Sequence, residues 1–245
     1  TPSLRYWQQL GSRTSLALDG SYMRADGNYP FTLVNGKYVT HEKRNNSSIY
    51  SWQGEANLHH TLRDSSQLSV KGYYYSSRRG LPGAVTLYNP LSTEKLWDEN
   101  YFIQAQYRKR FNDRWSLRAQ AKYTYGWNKM SDAGTPVDGG IYTERYSQDE
   151  NYLSAALLYR PTADFALSLA QDGAVNTMES NLKECPFPTR YTSITALRAR
   201  YDRQWLRVDA SLVGTVTSEK VKEGVAPDNV LRLSPALAFS FRPCQ

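Results

Sequence analysis

Three histidines, His41, His59 and His60, are the imidazoles available for acid–base or metal chemistry in the 245 residues. A zinc site needs three or four convergent ligands, and no such cluster surrounds them. No glycine-rich phosphate loop, nucleophile elbow or zinc-protease motif is present either. Catalysis is therefore not expected, and a structural role is the reading for all three histidines. Acidic residues do crowd one stretch, with Asp132, Asp138, Glu144, Asp149 and Glu150 close together. Calcium binds clustered oxygens, but this irregular spacing reads as a solvated acidic loop. No metal site and no cofactor are expected, calcium on this loop being the one weak candidate.

The residue types suited to binding lie elsewhere. Tyr29, Phe31, Tyr38, Arg78, Arg79, Leu81, Tyr88 and Trp97 fall in or beside stretches that read as long connections. Aromatic rings offer stacking surfaces and arginine a hydrogen-bonding fork, so together they suit a large planar or polar ligand. Loop-to-loop packing is the plainer reading of the same residues. In "RGLPG" the residues Gly80, Pro82 and Gly83 serve backbone shape.

The elements that must hold these residues are strands. In Trp115–Gly126 the odd positions read Trp, Leu, Ala, Ala, Tyr, Tyr and the even positions Ser, Arg, Gln, Lys, Thr, Gly. Successive strand side chains point to opposite faces, so this segment has one apolar and one polar wall. The pattern recurs, and it places strands near residues 3–10, 14–24, 49–62, 67–77, 96–110, 115–128, 150–160, 164–176, 191–202, 205–217 and 230–242. His59 then faces the polar side and His60 the apolar side. Lys71, Arg108, Arg118, Lys122, Arg198 and Arg207, with Asp19, Glu55 and Asp209, all fall on the polar side. The formal charge is +7, yet nucleic acid is not an expected partner, because the basic residues lie opposite the aromatics that would stack bases.

Short, turn-like connections alternate strictly with long ones: "GSR", "RDSS", "NDR", "PTAD" and "DRQ" against residues 25–48, 77–95, 129–149, 177–190 and 218–229. Outer-membrane barrels segregate short periplasmic turns from long extracellular loops in this way, and their strands need roughly 9–11 residues. Nineteen tyrosines against seven phenylalanines suit a boundary between lipid and water. The fold expected is all-β, with about 11 long antiparallel up-and-down strands forming part of a 22-stranded transmembrane β-barrel. Residues 1–245 are read as one partial barrel domain. Eleven strands would leave two edges open to lipid, so the sequence is expected to be one portion of a longer wall. "TPSLRYWQQL" at the start does not read as a signal peptide. Cys185 and Cys244 fall at opposite strand ends, beyond disulfide reach, and no bond between them is expected.

Several segments carry a resemblance to a known family: "GSYMRADGNYPF", "EKRNNSSI", "YYYSSRRGLPGAVTLYNP", "KLWDENYFIQAQYRKRF", "FPTRYTSITAL" and "LSPALAFSFRP". In these pieces and their order the chain resembles TonB-dependent outer-membrane receptors, closest to cobalamin-transporter-like members of Bacteroidetes. The resemblance implies a barrel in the bacterial outer membrane with its own plug domain, energised by TonB in the periplasm. Neither plug nor TonB box is read between Thr1 and Gln245. It also implies uptake of a large scarce solute, cobalamin or another corrinoid being the best single choice. A surface lipoprotein docked on the long loops is a further possible partner, and some cobalamin receptors hold calcium in such loops. Two rival functions stand beside this one: a passive porin-like or surface-binding barrel, and a soluble all-β binding module whose apolar faces pack against each other.

Overall fold

In a computed structural model, residues 1–84, 92–137 and 140–242 of the chain are described. They form thirteen strands: β1 (Ser3–Gly11), β2 (Thr14–Ala25), β3 (Pro30–Asn35), β4 (Tyr38–Lys43), β5 (Ile49–Thr61), β6 (Gln67–Gly80), β7 (Lys95–Arg110), β8 (Trp115–Val137), β9 (Gly140–Tyr159), β10 (Phe165–Ser180), β11 (Thr189–Asp202), β12 (Leu206–Lys220) and β13 (Val230–Phe241). Eleven of them make one sheet in chain order, with β3 and β4 set apart as a separate hairpin between β2 and β5. Every neighbouring pair is antiparallel, so the sheet is a simple meander whose outer strands, β1 and β13, are its open edges. Among the described residues there is no helix.

The eleven expected strands are all present, but two long connections hold more structure than expected. Residues 25–48 contain the β3–β4 hairpin, which closes at Asn35↔Tyr38 and turns at Gly36–Lys37 with Gly36 in the left-handed region (φ 60°). Glycine at the first central position of a two-residue loop is a characteristic tight-hairpin choice. Residues 129–149 continue β8 and β9 into a protruding ribbon, paired from Lys129↔Arg145 to Val137↔Gly140 around an irregularity between Asp132 and Pro136. A ribbon wetted on both sides needs no period-two pattern, so its sequence does not announce a strand.

The cross-strand register sorts the side chains onto two faces. One carries Leu18, Ala56, Val70, Ile103, Ala121, Leu153, Leu169, Leu197 and Leu212; the other carries Asp19, Glu55, Lys71, Gln104, Lys122, Ser154, Ala170, Arg198 and Ser211. The apolar face has no cover among the described residues: Ile103 is 56% exposed, Leu153 66% and Leu197 50%. Among the described residues the one buried hydrophobic residue is Cys185. The described residues form no second layer and no interior core, unlike a soluble two-layer domain.

Aromatic residues bound the apolar face at both ends. Toward the long connections Trp52 stacks on Tyr74 (4.4 Å between ring centres), and Tyr101 lies 6.5 Å from Tyr74 and 5.0 Å from Tyr125. Toward the short turns Trp115 stacks on Tyr159 at 4.2 Å, with Phe165 opposite Tyr201 nearby. From Trp115 to Tyr125 along β8 is about 33 Å of strand, or about 25 Å across a bilayer at a tilt near 40°, which is the height of a barrel's apolar band.

Candidate functional site

The polar face is laced by charge pairs between adjacent strands. Arg5 meets Asp19 at 2.5 Å, Lys71 meets Glu55 at 2.9 Å, and Arg79 meets Asp98 at 3.4 Å. Farther along, Arg190 pairs with Glu219, Arg198 and Arg200 both reach Asp209, and Arg207 reaches Asp202. The residues read from alternation as polar-facing are therefore on that face, and most are neutralised by a neighbour. Lys122 instead lies over the ring of Phe102 at 4.9 Å, and Phe102 stacks on Tyr73. Arg108 and Arg118 stand directly opposite each other with no carboxylate partner among the described residues.

Near the long connections this face opens into a groove of about 790 Å³, lined by Tyr73, Tyr75, Arg79, Asp98, Asn128 and Tyr146 among others. Strand parity places the tyrosines here: Tyr74 belongs to the apolar face, so Tyr73 and Tyr75 must point the other way. Rings, an ion pair and an amide together present stacking surfaces and both hydrogen-bonding senses to a solute.

A backbone lock holds the connection beside this groove. Asn46, in the left-handed region at φ 49°, donates its side-chain amide to the carbonyls of Leu81 (3.1 Å) and Glu94 (2.6 Å). Ser92 donates to the Leu81 carbonyl as well, and the Arg44 guanidinium donates to the Gly83 carbonyl. Gly80 is required by close approach, because a Cβ there would lie 2.3 Å from the Asn46 carbonyl oxygen. The sequence reading singled out Gly80 and missed Arg44, Asn46 and Ser92. "RNNSS" carries turn-forming Asn and Ser, but nothing local says which distant carbonyls they serve.

The eight residues named as ligand candidates fall into separate places. Tyr29 and Phe31 meet edge to face at 6.5 Å, and Tyr38 lies exposed at the start of β4 in the same hairpin region. Arg79 is in the groove. Leu81 takes part through its backbone, donating its N–H to Glu94 and accepting at its carbonyl. Arg78 and Trp97 are opposite each other on the apolar side of the sheet, with the guanidinium 5.4 Å from the indole centre. Tyr88 lies outside the described residues.

The histidines keep their expected sides: His59 bonds Ser69 on the polar face at 2.9 Å, and His60 bonds Thr14 on the other at 2.8 Å. His41 bonds Thr32 within the β3–β4 hairpin. Of the acidic stretch, Asp132 accepts from Thr135, Thr93 and the Gly134 N–H, hydrogen bonds that hold its carboxyl below the usual range in the ribbon beyond the apolar band. Tyr142 donates to Glu144 and Tyr123 to Asp149. Asp138 is outside the described residues, and among those described no three ligating side chains converge. Cys185 is buried and unbonded; Cys244 lies outside the described residues.

No family model matches the sequence, and no curated protein matches it. Among solved structures the chain is similar to the copper transporter OprC, with a TM-score of 0.66 and 13% identity over 97% of this chain and 38% of that one. It is similar also to the siderophore receptor PiuA from Acinetobacter baumannii, with a TM-score of 0.66 and 9% identity over 99% of this chain and 45% of that one. The chain thus spans less than half the length of either protein. At such identities the likeness carries the fold, and the fold is that of a stretch of wall in those two proteins: an open antiparallel meander with one apolar, aromatic-bounded face.

Proposed function

We propose that this chain is barrel wall of a TonB-dependent transporter in the bacterial outer membrane, taking up a large scarce solute. The observation that carries this is the uncovered apolar face, bounded by aromatics about one bilayer's apolar height apart on a sheet that has no core. Lipid is the solvent that makes such a sheet stable, and the same sheet in water would expose a contiguous apolar patch far beyond those of soluble monomers. In this reading the open edges of β1 and β13 pair with further strands, and a plug domain fills the polar lumen and couples to TonB. The likeness over nearly the whole chain to a copper transporter and a siderophore receptor supports the transport class.

For the solute we propose a corrinoid. A groove with Tyr73, Tyr75, Tyr146 and an Arg79–Asp98 pair suits a large ligand with planar and amide-bearing parts. The locked connection at Leu81–Gly83 follows directly on the end of β6 that carries Arg79 of the groove, and a surface lipoprotein could dock on the long connections. The test is uptake by cells expressing the complete natural protein, with and without TonB, of labelled corrinoid, ferric siderophore and copper. Corrinoid uptake that requires TonB is the expected result. Siderophore or copper uptake in its place keeps the transporter and overturns the ligand. Small-solute flux that ignores TonB would establish a passive porin instead.

A further inference from the structure

On the apolar side of the sheet, just beyond the aromatic boundary at the long-connection end, six residues stand in one row across six strands. The register runs Arg24↔Tyr50, Tyr50↔Arg78, Arg78↔Trp97, Trp97↔Lys129 and Lys129↔Arg145. Four cations are thus interleaved with two rings, Lys129 and Arg145 standing side by side at one end. Arg24 lies 5.2 Å from the Tyr50 ring centre, and Trp97 is contacted by both Arg78 (5.4 Å) and Lys129 (5.1 Å).

The charge of this row is uncompensated. Among the described residues none of its four cations has a carboxylate partner, whereas the adjacent Arg79, one residue on and facing the groove, pairs with Asp98. Two acids on the same face sit one row toward the bilayer and are already engaged, Glu99 accepting from Tyr74 at 2.6 Å and Glu179 pairing with Lys222. The rings brace the cations against the wall, and Arg24, Arg78 and Arg145 remain exposed. Cations facing outward in the hydrocarbon would be costly, but at the headgroup level they meet anionic oxygens.

We propose that this row binds the phosphate groups of phosphorylated lipid headgroups in the outer leaflet. Guanidinium forks match phosphate oxygens in pairs, and Lys129 adds a point charge between them. The occupant is lipid because the row continues the lipid-facing surface, directly above Tyr22 and Trp52 of the aromatic boundary. The inference rests on the barrel reading above, with the long connections outside the cell.

The experiment uses the complete natural protein in lipid nanodiscs. Retention of a bisphosphorylated glycolipid is compared with that of its dephosphorylated form by native mass spectrometry, for wild type and for a triple variant Arg24→Gln, Arg78→Gln, Lys129→Gln. Wild type should prefer the phosphorylated lipid by about tenfold or more, from roughly three favourable cation–headgroup contacts, and the variant should lose that preference. If the triple variant does not assemble, the single exposed change Arg78→Gln should weaken the preference while Lys129→Arg keeps it. Equal retention in wild type and variant overturns the proposal, as does displacement by millimolar inorganic phosphate, which would mark a free-phosphate site. A gain of binding to a second copy of the protein, with no lipid preference, also overturns it. TonB-dependent uptake measured on the same variant separates the two readings: uptake intact with no lipid preference sinks this proposal alone, and a protein that never enters a membrane sinks both.

Discussion

Arg108 of β7 and Arg118 of β8 are direct cross-strand partners on the polar face, and neither has a carboxylate partner among the described residues. Like charges directly opposite each other destabilise a sheet. Most cations of the polar face have Arg–Asp or Lys–Glu neighbours instead, so this pair is a candidate place for negative charge supplied from outside the sheet. In the transporter reading that source is a carboxylate of the plug. Arg118→Glu then has two opposite effects. In a barrel with the plug removed it replaces a like-charge pair by an ion pair and raises stability by roughly 0.2–1 kcal/mol. In the intact protein it sets Glu against the plug carboxylate and lowers stability. Denaturant unfolding of both forms checks this, and a shift of the same sign in both would exclude a plug carboxylate at this spot.

Leu153 and Gln120 test which face meets lipid. Leu153 lies at mid-height on the apolar face and is 66% exposed; Gln120, on the neighbouring strand, points to the other side. Leu153→Arg should cost about 2–4 kcal/mol in a bilayer, the penalty for a cation at the midplane of a barrel wall. Gln120→Arg should stay within about 0.5 kcal/mol of wild type. Reversible folding into lipid vesicles measures both, and equal costs would mean that the two faces share one environment.

How much of this was legible in the sequence follows from where the chain meets two solvents at once. Wherever one face touches lipid and the other water, alternation is forced residue by residue, and β5 or β12 can be read from Tyr50–Leu58 or Leu206–Val216 alone. Where both faces are wet the constraint vanishes, and the outer ends of β8 and β9 read as loop. The β3–β4 hairpin did carry a signal at its turn glycine, Gly36, that length reasoning passed over. The candidate site divides in the same way. Parity determines that Arg78 and Arg79 part company, one to the outer surface and one to the groove. Grouping them by their shared place in a connection hid that separation. The bonds from Asn46 to Leu81 and Glu94 span 35 and 48 residues, and no local pattern encodes such partners.

Gly80 and Asn46 make a third, mechanical prediction. The Gly80 N–H donates to the Ser48 carbonyl at 2.9 Å while its α-carbon faces the Asn46 carbonyl. Gly80→Ala must push that backbone aside, since the Asn46 carbonyl is main chain and cannot swing away. Asn46→Ala removes the amide that serves two carbonyls, each loss costing on the order of 1 kcal/mol. Both changes should leave the wall intact and loosen the connection after β6. Limited proteolysis in detergent should then cut within residues 81–94 several times faster, with the sheet's resistance unchanged. Uptake should fall by way of weaker solute binding, if this connection borders the solute's groove. Cleavage no faster than wild type would show that the lock is dispensable.

The turn after β5 gives the pH prediction. Asp64 lies outside the apolar band, where the Lys109 ammonium meets its carboxylate at 2.7 Å and the Ser66 hydroxyl and N–H donate to it as well. These contacts, the lysine bond first, hold the carboxyl well below its usual range. A carboxyl depressed in the folded state stabilises it fully above the unfolded pKa, near 3.9, and ceases to do so as pH falls through the folded value. The turn should therefore keep its order from neutral pH to about 4 and loosen below that. Ser66, the buried residue at its centre, reports the change through its N–H, and Leu62 through the bond its N–H makes to the Ser66 carbonyl. Hydrogen exchange at these two amides, corrected for the intrinsic rate, should lose protection on acidification in wild type. In Asp64→Asn protection should be lower at neutral pH and flat with pH. A wild-type profile as flat as the variant's would mean that the Asp64–Lys109 pair does not hold the turn.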